Sequence, residues 1–184
     1  MLTRLSPRQR LPGRFARDQR GLAAVEFALL APIMILLYCG LGELTLAMMA
    51  ERQAAHSASV VGDLVAQTPA MDATQMADIF NVGSSIMKPF PAGPLQVRVT
   101  SVKADAQGVP HVVWSQGHGM GAMTAGNTVP GFPANLLLPG DSIIEADVSY
   151  TFTSPIQQVI AAPIGFGQNF YFKPRRSADV TWGP

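Results

Sequence analysis

Glu26 stands at the head of an uncharged run, Phe27 to Gly42, and a carboxylate near or inside hydrocarbon costs on the order of 2.5–3.5 kcal/mol. Such a charge asks for a partner, and the residues before it suggest one. A cut after Gly21 would leave a new α-amine on Leu22, four residues before Glu26, within reach along one helix face or across to a neighbouring copy. Glu26 is also expected in the first turn of the helix that follows, where the macrodipole favours negative charge by roughly 0.3–1 kcal/mol. Such a cut would turn a costly acid into half of an ion pair.

No other side chains have catalytic or metal-binding spacing. His56, His111 and His118 are scattered, without the paired Cys or the i,i+4 partners of a metal site. Neither Gly-x-Ser-x-Gly nor His-Glu-x-x-His occurs. Gly117-His-Gly-Met-Gly121 lacks the Lys-Ser/Thr of a phosphate loop. Asp141, Glu145 and Asp147 lie near a strand start and read as an acidic solvent face. The residues predict no catalytic group, no metal and no cofactor, and so no enzyme.

Charge is distributed unevenly around the apolar run. Residues 1–20 hold six arginines against Asp18, while the remainder holds seven Lys/Arg against eleven Asp/Glu. An arginine-rich flank beside an apolar span stays cytoplasmic, so the large C-terminal part is expected across the membrane. Anionic lipid head groups suit the arginines better than nucleic acid, which is not an expected partner. Cys39 is the single cysteine and sits mid-run, so no intramolecular disulfide is available. Tyr38 occupies the place where a lipoprotein cleavage site needs a small residue. Leu22 to Leu46 would reach roughly 36 Å as a helix, enough for a hydrocarbon core of ~30 Å, with a mild kink from Pro32. An ordinary secretory signal, cut near Ala50, and an uncleaved anchor are rival readings. Glu26 and Glu43, at either end of the run, fit the secretory signal poorly.

The pattern Arg20-Gly21, Ala23-Ala24-Val25-Glu26-Phe27-Ala28-Leu29, Pro32 and Gly40-x-x-Glu43 resembles the class III signal of type IV prepilins. It is most similar to the TadE/TadF-like minor pseudopilins of tight-adherence (Tad, Flp pilus) systems. Tad major pilins usually carry Glu-Tyr at the signal and are very short; here Glu26-Phe27 precedes a long domain. The resemblance implies processing between Gly21 and Leu22 by a prepilin peptidase. It further implies a role for Glu26 and Phe27 in subunit register and assembly. The implied partners are other pilins or pseudopilins, inner-membrane platform proteins of the Tad system and the lipid bilayer. The implied location is the bacterial inner membrane, single pass, N-terminus cytoplasmic and C-terminal domain periplasmic, with incorporation into a pilus possible.

Beyond the membrane, Glu43 to Ala66 has no proline and many helix formers. Leu44, Met48, Glu51, Ala55, Ser59 and Gly62 form one face and Ala47, Ala50, Ala54 and Ala58 another, until Gln67-Thr68-Pro69 ends the helix. Asp72-Ala-Thr-Gln75 reads as a capping box opening a helix over 73–87. Period-two alternation then predicts strands at Leu95–Thr100, Val109–Ser115 and, most clearly, Ser142–Thr153. Shorter segments follow at Phe170–Phe172 and Ala178–Trp182. Gln116 to Pro133, with five glycines and two prolines, reads as a surface loop, and Ile156–Ala161 as a short helical turn. The expected fold is α+β, a long N-terminal transmembrane, pilin-like helix followed by a small antiparallel-sheet domain of about four strands. Its divisions are a basic leader (1–21), a transmembrane helix (22–46), its periplasmic continuation (47–67) and an α+β head (68–184). The function so implied is that of a minor pseudopilin in Tad/Flp-type pilus assembly. The alternative is a single-pass anchored binding domain that never joins a filament; a domain released after cleavage near Ala50 is a third reading.

Overall fold

The computed structural model describes residues 21–183. The basic leader expected over 1–20 lies outside the described residues. Helix α1 (Leu22–Ala66) is one unbroken element of 45 residues that runs through Pro32, about 67 Å long at 1.5 Å per residue. Its first half touches little: Leu22, Phe27, Leu30, Ile33 and Leu37 are all exposed, and the helix is long and apolar enough to cross a membrane. From Glu43 onward a stripe at helical spacing is buried, namely Ala47, Ala50, Ala54, Ala58, Val61 and Val65. Of the two faces read from the sequence, the alanine face packs on the head along its length, and the other meets it fully only at Gly62. Small side chains there let a sheet lie close to the helix axis. Thr68 Oγ1 donates to the Val65 carbonyl at 2.8 Å and Pro69 follows, so the helix stops where its last carbonyls find other donors.

β1 (Ala70–Met71) leads into α2 (Ala73–Ile86), which opens on a complete capping box. The Gln75 N–H donates to Asp72 Oδ1 at 2.8 Å and the Asp72 N–H to Gln75 Oε1 at 3.4 Å. Gly83 lets α2 close onto α1, where Ser57 Oγ donates to the Gly83 carbonyl at 2.8 Å. Four strands follow: β2 (Leu95–Ala104), β3 (Pro110–His118), β4 (Ser142–Phe152) and β5 (Ile164–Phe172). They form an antiparallel sheet in the order β3-β2-β4-β5. β6 (Thr181–Trp182), within the segment read as a strand at Ala178–Trp182, pairs in parallel with β1, a two-residue partner with no sequence signal. It brings the C-terminal segment to the end of α1, where Arg175 pairs with Asp63 and donates its N–H to the Ala66 carbonyl. A cation at a helix C-terminus suits the macrodipole there. The architecture is therefore α+β, a long apolar helix followed by a small antiparallel-sheet domain.

Both faces of the sheet are covered. On the inner face Leu95, Val97, Val99, Ile144, Val148 and Tyr150 pack with the alanine stripe of α1 and with Met76 and Phe80 of α2. On the outer face Val102, Ala104, Val112 and Ile143 pack with Val129 and Leu137 of the connection 119–141. Phe132 meets Tyr171 edge-on at 5.4 Å. Here the structure corrects three expectations. Gln116–His118 belong to β3 and not to the surface loop, whose remainder is largely exposed, with Val129 buried and Met123 and Phe132 packed against the sheet. Glu145 and Asp147 do not form an acidic solvent face, since they are 2% and 5% exposed beneath that cover. Ile156–Ala161 is not helical, and β5 begins at Ile164. Alternation identifies which residues share a face; it carries no information on what covers that face.

Candidate functional site

The four residues singled out at the cleavage signal lie together at the start of α1. Gly21 caps the helix without a side-chain hydrogen bond, and Leu22 is the first helical residue. Leu22 and Phe27 are 66% and 73% exposed, and Glu26 is exposed as well. Nothing in the head packs on them, so the Gly21-Leu22 bond is open to another protein. Glu26 is the fifth residue of α1 and its first turn holds no acid, which corrects the expected placement. The macrodipole effect fades after that turn, so it does little for this carboxylate.

A second acid, read from the sequence only as the end of the apolar run, has a developed site. Glu43 is fully buried. Its Oε1 accepts the Gln158 N–H at 2.7 Å, and its Oε2 accepts those of Val159, at 3.3 Å, and Ile160. Gln157 has φ 53°, a left-handed turn costing about 1–2 kcal/mol. That turn converges the three following amides on one point, an arrangement that suits an anion. Charge-assisted hydrogen bonds are roughly twice as strong as neutral ones and offset the backbone cost. Gly40, one turn earlier, admits the loop: a methyl group there would sit 3.3 Å from Val159 Cγ2. The usable sequence signal was an acid one turn after a glycine at the end of an apolar helix. Its partners, more than a hundred residues away, left no local trace.

A third polar cluster lies under the outer cover. Arg98 Nε and Nη2 both donate to Asp147 Oδ2, at 2.9 and 2.7 Å, and Nη1 reaches the Gly121 carbonyl at 3.3 Å. Thr100 and Ser115 share a hydrogen bond of 2.9 Å. Glu145 Oε1 accepts the Tyr171 hydroxyl at 3.1 Å, while its Oε2 is buried with no partner among the described residues. Burial, and then the neighbouring Asp147 charge, push the Glu145 carboxyl up to about 7. At Asp105, hydrogen bonds from the Val109 and Gln107 amides, with His111 beside it, hold the carboxyl below its usual range despite some desolvation. These groups fasten loops to strands. Among the described residues no group of three or more His, Cys, Asp or Glu is placed to hold a metal ion.

Residues 21–62 match the family model of TadE-like proteins. This segment is similar to TadE-like proteins. The TadE-like match begins at the predicted cleavage glycine, covers α1 to within a turn of its end, and includes Glu26, Gly40 and Glu43. It leaves the sheet domain outside the matched residues. No curated protein and no solved structure matches the chain.

Proposed function

We propose that this chain is a minor pseudopilin of a Tad/Flp-type pilus. A prepilin peptidase cleaves it after Gly21 while α1 is held in the bacterial inner membrane, N-terminus cytoplasmic and head periplasmic. The observation that carries this reading is the division of α1 into an exposed apolar half and a half packed on a folded head, with the TadE-like match running across both. A helix of that kind has two ways to cover its apolar surface, in lipid or against the helices of other subunits. Removal from the membrane is then coupled to assembly, because only packing replaces what lipid supplied. Glu26, paired with the α-amine of a processed neighbour, fixes the register, and Phe27 opens the packed face. The chain acts as a substrate and structural partner, not as a catalyst.

The test is the N-terminal residue of the mature protein from native membranes, with and without active prepilin peptidase. Peptidase-dependent cleavage gives Leu22 as the first residue, and Glu26→Leu then abolishes assembly while the chain still accumulates in the membrane. A mature chain starting at Met1, with pili indifferent to Glu26→Leu, would favour an anchored binding domain. Soluble protein beginning past Ala50 would favour a secreted one.

A further inference from the structure

We propose that the loop 155–163 is a second membrane contact, a segment of the head seated in the lipid interface beside α1 and latched there by Glu43. The proposal rests on α1 spanning the bilayer from Leu22. With the roughly 20 residues that a hydrocarbon core requires, such a span ends near Leu41 and holds Gly40 in its last turn. Val159 packs on Gly40, so the loop descends to the depth of that turn.

Its composition suits the place. From Val148 to Phe172 the chain has no Asp, Glu, Lys or Arg, and Ile156 and Val159 are 39% and 53% exposed. The hydrogen bonding suits it too. Lipid penalises a bare carboxylate and unpaired backbone amides alike. The bonds from Gln158, Val159 and Ile160 to Glu43 satisfy both in one step. An acid at the end of an apolar span thereby enters the interface already solvated by backbone, and these three amides need no water. Interfacial apolar segments settle roughly 5–10 Å into the boundary between head groups and acyl chains, and Ile156 and Val159 are the side chains that would do so.

The experiment uses the full chain carrying Cys39→Ala, with single cysteines introduced by Val159→Cys, Ile156→Cys, Leu30→Cys or Gln107→Cys. Each is labelled with a polarity-sensitive fluorophore and reconstituted into phosphatidylcholine vesicles carrying nitroxide lipids. Gln107 is exposed in the β2–β3 turn, at the opposite end of β2 from Leu95, and serves as the aqueous reference. The labels at Val159 and Ile156 are expected to be blue-shifted and quenched most by nitroxides near the head groups. The label at Leu30 should be quenched most by nitroxides deep in the chains. If either loop label reads like Gln107 while Leu30 is quenched, the loop proposal fails and the span stands. If Leu30 is not quenched, the spanning reading itself fails and takes the loop proposal with it.

Discussion

Replacing Glu145 by Gln tests the covered outer face of the sheet through a stability difference of definite sign. The folded chain raises this carboxyl from 4.5 to about 7, so it binds the proton more tightly folded than unfolded. Below about pH 4.5 both states are protonated and the residue makes no difference. Between 4.5 and 7 only the folded chain keeps the proton, and stability falls as pH rises. Above 7 the loss is complete. At about 1.4 kcal/mol for each tenfold ratio in proton affinity, the full loss is about 3.5 kcal/mol, of which about 3 kcal/mol falls between pH 4.5 and pH 8. Gln keeps the shape and an oxygen for the Tyr171 hydroxyl while removing the titration. Urea unfolding of the full chain in detergent micelles, followed through Trp114 and Trp182, whose rings lie 5.2 Å apart, supplies the assay. The variant should match the native chain near pH 4.5 and exceed it by about 2–3 kcal/mol near pH 8. A difference that stays flat across that range, or a variant less stable at pH 8, would refute the reasoning and place Glu145 in contact with water.

Two further outcomes follow from the packing of α1. Glu43→Ala removes the acceptor of three loop amides, and hydrogen bonds to charged groups contribute about 1.5–3 kcal/mol; amide exchange at Gln158–Ile160 should therefore accelerate by roughly tenfold or more, with α2 unchanged, and unchanged exchange at these three residues would deny the latch. Gly62→Ala sets a methyl group 3.0 Å from Ala146 Cβ and against the Phe172 ring, so overpacking of about 1–3 kcal/mol should outweigh the helix-propensity gain of about 1 kcal/mol. Unfolding midpoints in the same detergent assay check this, and a stabilised variant would mean that the helix does not lie this close to the sheet.

The elements legible in the sequence were those with local causes. The Asp72–Gln75 box, the alternation of Ser142–Phe152 and the stop at Gln67-Thr68-Pro69 each act within a few residues, and all are present. Features that depend on distant partners were not legible. The β1–β6 ladder joins residues on opposite sides of the head in sequence. The turn read into Ile156–Ala161 instead follows the Glu43 carboxylate, and the burial of Glu145 and Asp147 follows from a connection whose glycines are exposed but whose Val129, Phe132 and Leu137 lie over the sheet. At the candidate site the same division holds. Glu26 announces itself by charge in an apolar setting, whereas the role of Glu43 emerges only once the loop is in place.

The continuity of α1 from Leu22 to Ala66 has a mechanical meaning. The rod whose lower half is apolar enough to cross a membrane is also the strut on which the sheet is mounted, with no linker between them. A pull on the N-terminal turn is delivered along the axis to the head without slack. Compliance is greatest at Pro32, where the backbone lacks the hydrogen bond back to Ala28. Bending is therefore taken up in the lower half of the shaft, and the orientation of the head follows the upper half as one rigid piece.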